Sequence, residues 1–502
     1  MGSAADSAGA ARCRELAEAS PARLIFKYSW PALVAMSLNA LYAVVDRFYI
    51  GHGCGEASMA ALTLSFPVMM LFAAFGVFVG AGHSAALSIR LGERDMSSCE
   101  KLVGQLVAFK LAFFFILPPL VFFNLDTILG WCGGNGVSAE ALECAKKYLR
   151  IVVFSHFFSH LGFGLSAMMR AEGAAVASMT ALAIGFGVNV VLDPFFIFPR
   201  IPLHIGGAHL PGLGLGISGA AWATVIGMFS SFFYAAWRYL SGRTLVRFRW
   251  SAIGFHKGML LKPCGIGLAP FLQQLFGAAI NVVLPQAFAK WAADEAAATT
   301  QIASLGVFQS VMIIVVLPIL GTQQGLQPII GYNWGARNFR RVRATLAAGL
   351  AITTVLCIAA TIVQTLPPFP RIMASLFVSA DNAKLLGIAA RDLAVANCML
   401  WCISLNIVAT TYFQSIGRPM SAIVLSTLRQ GVCLIPIAWF LPYLMKDHSL
   451  AVWISMPVSD VLCCLMTIVP FALHLRFLSR VRERGIFAAA APPRLRLKTA
   501  RK

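Results

Sequence analysis

Charged side chains are scarce in this 502-residue chain: Asp, Glu, Lys and Arg make up 12% of it, about half the share usual in soluble domains. Acids are rarer still, 20 in all, and none lies between Asp193 and Asp294. So few water-facing groups cannot cover a folded surface, which excludes soluble globular, coiled-coil and disordered classes. No P-loop, G-x-S-x-G, H-E-x-x-H or deaminase-type cluster occurs, which argues against ATP-driven transport by this chain alone and against an enzyme. The 12 Cys form no C-x-x-C pairs and no His-flanked zinc spacing; they read as small apolar residues. What abounds is apolar: 59% hydrophobic residues and a mean hydropathy of +0.77, gathered in long runs. That pattern means membrane.

About 20 apolar residues cross a bilayer core, and twelve such runs are present. They fall at about 25–50, 58–89, 102–124, 146–169, 175–198 and 215–237, then at 264–289, 297–333, 344–366, 386–414, 419–442 and 450–475. The first follows a tail of mixed charge and lacks an A-x-A site, so it reads as a retained helix rather than a signal peptide. The net charge of +20 raises nucleic acid as a partner, but its distribution decides otherwise. With both termini inside, 27 of the 40 Lys and Arg lie in inside segments, 9 outside and 4 within spans, the bias expected of a cytoplasmic face. The expected partner surface is the lipid bilayer of an inner or plasma membrane, with anionic headgroups against the basic end of the chain.

The expected architecture is an all-α integral membrane protein of twelve transmembrane helices in two parallel six-helix bundles around a central cavity. Its parts are a cytoplasmic tail (1–24), an N-terminal bundle (25–241), a basic linker (242–262), a C-terminal bundle (263–478) and a basic tail (479–502). The two halves resemble each other at a nearly constant offset: Leu91-Gly92-Glu93-Arg94-Asp95 recurs as Trp334-Gly335-Ala336-Arg337-Asn338, 243 positions on. Met59-Ala60-Ala61-Leu62 matches Ile302-Ala303-Ser304-Leu305 at the same shift, and Arg170-Ala171-Glu172-Gly173 faces Gln414-Ser415-Ile416-Gly417 at 244. Six spans per repeat is an even number, so the repeats share one orientation, as in transporters with a midplane site between halves.

Polar residues within spans mark candidate sites, because a carboxylate in mid-bilayer costs at least about 2.5–3.5 kcal/mol. Asp46 lies near the end of the first span; the bland alternative is an interfacial pair with Arg47. Asn189 and Asp193 stand i, i+4 on one face of the fifth span, followed by Pro194, which removes a backbone donor and loosens the helix. A carboxylate, an amide oxygen and a loosened backbone make a hard-oxygen site suited to a proton or a monovalent cation. Their repeat partners are Cys433 and Ile437, so the acidic site belongs to the N-terminal half alone. Gly214-Leu215-Gly216-Ile217-Ser218-Gly219 spells a dinucleotide fingerprint without the acid it needs downstream, and reads as a turn into the sixth span. His156 and His160 share a helix face with no third ligand, which favours ring packing. Arg429 and Asp460 either pair across helices or line the C-terminal cavity.

Five segments in order carry a family resemblance: Val45-Asp46-Arg47-Phe48-Tyr49-Ile50-Gly51, Leu87-Ser88-Ile89-Arg90-Leu91-Gly92, Asn189-Val190-Val191-Leu192-Asp193-Pro194-Phe195-Phe196-Ile197, Gly219-Ala220-Ala221-Trp222-Ala223-Thr224 and Gln327-Pro328-Ile329-Ile330-Gly331-Tyr332-Asn333-Trp334-Gly335-Ala336. From about Tyr28 to Arg480 the chain resembles the multidrug and toxic compound extrusion (MATE) family, and most the MepA-type bacterial branch. The resemblance implies a monomeric antiporter that exports small-molecule organic cations as H+ or Na+ enters, with no further cofactor. It places the coupling-ion site, including any Na+ ligands, on Asp46, Asn189, Asp193 and Thr224, with the Ala220 carbonyl as a further ligand. Arg47 departs from the family pattern, and an ion pair with Asp46 would lock that carboxylate. Rival readings are a flippase for a lipid-linked substrate and a dedicated metabolite exporter of the same superfamily.

Overall fold

A computed structural model describes residues 11–12, 14–132, 137–205, 208–378 and 382–483; most of the basic C-terminal tail lies outside the described residues. Among the described residues, eleven helices are long and apolar enough to span a membrane. The first, α1 (Pro21–Gly92), has 72 residues, about 108 Å at 1.5 Å per residue, far more than one crossing. It is broken at Gly55, whose φ of 77° and ψ of −174° suit a residue without Cβ, and so supplies two spans. Twelve crossings result.

The rest of the N-terminal half is α2 (Met96–Phe123), the short α3 (Leu125–Trp131), α4 (Ala139–Ala171), α5 (Ala175–Ile197) and α6 (Ile217–Leu240). Between α5 and α6 the chain leaves the helical pattern for a two-stranded antiparallel hairpin, β1 (Arg200–Ile205) and β2 (Ala208–Pro211), where the sequence suggested only a loop. The C-terminal half holds α7 (Leu261–Trp291), α8 (Glu295–Gly335), α9 (Phe339–Thr365), the short α10 (Phe369–Ser375), α11 (Ala383–Asn397) and α12 (Ile403–Ser415). The eleventh span runs through α13 (Pro419–Thr427), a π-helix (Leu428–Leu434) and α14 (Ile435–Phe440), and α15 (His448–Glu483) completes the fold. Counting crossings puts Ser20, Glu172 and the linker on one side of the bilayer, the tail side. The hairpin lies on the other.

The halves meet on the tail side. One continuous core there joins Leu24, Ile25, Leu87 and Leu91 to Ile329, Ile330, Val408 and Tyr412. Toward the hairpin side each half keeps its own core, around Leu64, Phe72 and Val152 in one and around Phe288, Leu305 and Trp453 in the other. Among the described residues, side-chain hydrogen bonds between the two sets of spans, Gln324 to Met36 Sδ and Gln327 to Ser84, lie near mid-depth or below. Asn333 and Arg341 both donate to the Leu16 carbonyl at the tail end.

Close approach of backbones seals that seam. A Cβ at Gly92 would stand 2.0 Å from the Tyr332 carbonyl oxygen, and one at Gly335 2.0 Å from that of Ile89. These two glycines are repeat mates at the 243 shift. Gly82 abuts the Pro263 carbonyl, and its mate Gly325 abuts Ser29. The pseudo-symmetry read in the sequence therefore reappears as paired contacts. The linker belongs to the N-terminal half's tail face: Gly104 abuts the Ala252 carbonyl, Arg249 pairs with Glu100 at 2.9 Å, and Glu172 accepts from Tyr239 Oη and from the Leu245 amide, each at 2.8 Å.

Candidate functional site

The site forms where α5 and α6 touch. A Cβ at Gly227 would meet the Gly185 carbonyl at 2.6 Å and Asn189 Cβ at 3.0 Å, so the two helices pack backbone to backbone. That proximity lets Asn189 Nδ2 donate to Thr224 Oγ1 at 3.3 Å and to Asp193 Oδ1 at 3.4 Å. The end of α5 is held by the returning chain: amides of Leu213, Leu215 and Gly216 satisfy the carbonyls of Phe195, Phe196 and Ile197, which a helix C-terminus otherwise leaves open. The turn rests on Gly214 and Gly216, both at positive φ. It is a helix-entry turn, not a nucleotide loop.

Asp46 is 7% exposed and Asp193 fully buried, and the two carboxylates lie within Coulombic reach of each other. Arg47 is exposed and, among the described residues, forms no ion pair with Asp46. Ala220 sits one turn before Thr224 and packs, fully buried, with Ile50 and Ile197. The structure thus gathers Asp46, Asn189, Asp193 and Thr224 at one place, with Ala220 at its edge.

Among the described residues, three buried oxygens here have no hydrogen-bond partner: Asp46 Oδ1, Asn189 Oδ1 and Asp193 Oδ2. Unmatched buried acceptors are costly and rare, and each needs an account. All three are hard oxygen acceptors, a donor set that suits a cation or a proton. Asp46 and Asp193 supply the charge and Asn189 and Thr224 neutral oxygens. The set contains no thiolate or imidazole.

A cavity of about 260 Å³ opens beside the cluster, lined by Asn39, Tyr42, Gly76, His160, Asn189 and Thr224 among others. Of two residues that the sequence reading passed over, Tyr42 lines it and Lys110 stands next to it. Tyr42 Oη lies 3.5 Å from Thr224 Oγ1, and its ring stacks on Phe186 at 5.5 Å between centroids; its i−4 spacing from Asp46 was the available signal. Lys110, buried at 2% exposure, donates to the Gly76 carbonyl at 2.9 Å just behind the wall. Phe163 lines the cavity too. Met168 is core, whereas Trp222 is about half exposed. His156 stacks on Phe72, rings 4.4 Å apart and nearly parallel, as ring packing requires.

Twelve crossings in two repeat-related halves, with a cavity inside one half, define a membrane transporter. The MatE family model matches residues 31–195 and 274–440, one match in each half, and the chain belongs to that family of multidrug and toxic compound extrusion transporters. Among curated proteins it is similar to the multidrug export protein MepA of Staphylococcus aureus (strain NCTC 8325 / PS 47), 25% identical over 452 residues that cover 89% of this chain and 93% of the relative. Among solved structures it is similar to the outward-facing conformation of a multidrug resistance MATE family transporter of the MOP superfamily, with a TM-score of 0.81, 23% identity, and 93% and 98% of the two chains covered. A MATE crystal structure in the bent conformation gives a TM-score of 0.83 at 22% identity, covering 94% and 98%. These structural likenesses speak to the fold.

Proposed function

We propose that this transporter exports small organic cations in exchange for H+ or Na+, by rocking its two halves so that one cavity faces each side in turn. The observation that carries this reading is the trio of orphaned buried acceptors, Asp46 Oδ1, Asn189 Oδ1 and Asp193 Oδ2, at the edge of a drug-sized cavity. A bare site is negative and favours an organic cation nearby. A filled or protonated site loses that charge and weakens the cation's hold. That difference between states is what lets one ion drive another. Asp193 and Asp46 carry the charge, Asn189 and Thr224 orient it, and the Ala220 carbonyl stands at the edge as a further oxygen. The Lys and Arg bias assigns the tail side, with both termini, to the cytoplasm of an inner or plasma membrane. In that orientation the seam between the halves is shut toward the cytoplasm and the halves part toward the outside. The bodies that rock are 25–241 and 263–478, joined by 242–262, within one monomer. Similarity to a multidrug export protein supports the same reading.

The test is ethidium efflux from an exporter-deficient bacterium expressing the chain, with external Na+ and pH varied independently. Efflux that follows one gradient and fails in Asp193→Asn is expected, and names the ion. Undiminished efflux by a well-inserted Asp193→Asn protein would overturn the assignment.

A further inference from the structure

The C-terminal half carries a buried charge pair that the coupling scheme leaves unused. Arg429 stands ten residues into the eleventh span from Pro419, about 15 Å along the helix and so near mid-bilayer. Its Nε donates to Asp460 Oδ1 of α15 at 2.6 Å. Charged groups at this depth are costly and serve substrate or ion paths far more often than architecture. Arg429 also sits on the π-helix at Leu428–Leu434, a departure from α-geometry that concentrates at functional positions. Cys357 of α9 and Cys463 of α15 lie close enough to feel both charges, which places the pair inside the bundle.

Two features separate this pair from a closed structural bridge. Asp460 Oδ2 is buried and, among the described residues, without a hydrogen-bond partner. The Arg429 side chain is 28% exposed against 1% for Asp460, and among the described residues no hydrogen bond engages its terminal nitrogens. The repeat adds a third: at the 244 shift, Arg429 corresponds to Gly185, which lines the cavity of the N-terminal half. The guanidinium thus stands, in one half, at the position that borders the cavity in the other.

We propose that Arg429 is an anion-receiving subsite, which selects transported cations that also bear a carboxylate. Asp460 holds the guanidinium by its Nε edge, and the Nη1–Nη2 end is left for an end-on, two-bond pair with that carboxylate. Lysine would not substitute, because a point charge lacks the planar fork. The proposal rests on the export reading above, and the experiment keeps the two apart.

The probes are a cationic rhodamine ester and its free acid, which differ only in the carboxylate. Their affinities for the purified full chain are read by fluorescence anisotropy, and their efflux is read in cells. The variants are Arg429→Gln with Asp460→Asn, which leaves no lone buried charge, and Arg429→Lys. The wild type should bind the acid at least as tightly as the ester. In the double variant the acid-to-ester affinity ratio should fall about tenfold, with Arg429→Lys in between. An unchanged ratio in a monodisperse variant overturns the subsite, as does a wild type that binds the acid tenfold more weakly than the ester. Discrimination by the purified protein without efflux of either dye would keep the subsite and sink the export reading. Efflux of both dyes with an unchanged ratio would do the reverse.

Discussion

Placing one methyl group in the tail-side seam should push the halves apart there. At Gly92 a Cβ would stand 2.0 Å from the Tyr332 oxygen, against the 3.4 Å of an ordinary contact, so Gly92→Ala requires about 1.4 Å of separation. The obstacle is backbone, which cannot turn aside. Overpacking of this kind costs about 1–3 kcal/mol, and if the halves rock as proposed, a seam that closes in only one of two states loses that much relative to the other. The closed-to-cytoplasm form should therefore fall about five- to more than a hundredfold in population. Gly335→Ala meets the Ile89 oxygen at the same 2.0 Å, and the same displacement relieves both. The double variant should accordingly cost little more than either single one, a non-additivity expected of coupled neighbours. Hydrogen–deuterium exchange on purified protein reads the shift: peptides covering 78–92 and 325–335 should exchange faster, and hairpin-side peptides near 58–64 and 295–305 more slowly. Uniformly faster exchange would signify general destabilisation, and additive single-site effects would refute a shared seam.

Arg47→Ala should leave ethidium efflux within about twofold of wild type, since an exposed charge that forms no pair contributes under about 1 kcal/mol; a large loss would return Arg47 to the site. Thr224→Val removes the hydroxyl that receives Asn189 and faces Tyr42. Losing that acceptor from the buried amide should cost about 1–3 kcal/mol, seen as a rise of about five- to more than a hundredfold in the Na+ or H+ concentration for half-maximal efflux with expression intact. Glu172, at the tail-side end of α4, is pushed up to about 7 by burial, against the opposing pull of Tyr239 and the Leu245 amide. An acid with a raised folded-state pKa makes stability fall as pH rises from its unfolded value toward 7. Thermal denaturation should show that decline between about pH 4.5 and 7, and Glu172→Gln should flatten it.

The spans were legible because a bilayer demands unbroken apolar length, and the break between the first two lies where charge and glycine interrupt it, at Gly55. The Asn189–Asp193 pairing was legible because four residues on a helix return to one face. Thr224 and Ala220 came from resemblance; their place beside α5 depends on how closely α5 and α6 approach at Gly185 and Gly227, which spacing along the chain does not encode. The same limit hid the cavity wall. Met168 turned to the core and Tyr42 to the cavity, because helix rotation decides which face of an all-apolar span meets a space. The hairpin at 200–211 escaped notice because Gly- and His-rich segments carry little strand pattern. Arg429 and Asp460 were visible as anomalies of charge, and only the fold could say that they meet.

The most direct test of the central claim is competition at Asp193. In proteoliposomes holding purified protein, ethidium binding should release H+ or Na+, and raising that ion should weaken ethidium binding by the same factor, as linkage requires. Asp193→Asn should bind ethidium with no dependence on either ion. Competition that persists undiminished in Asp193→Asn would contradict the account and move the coupling site elsewhere.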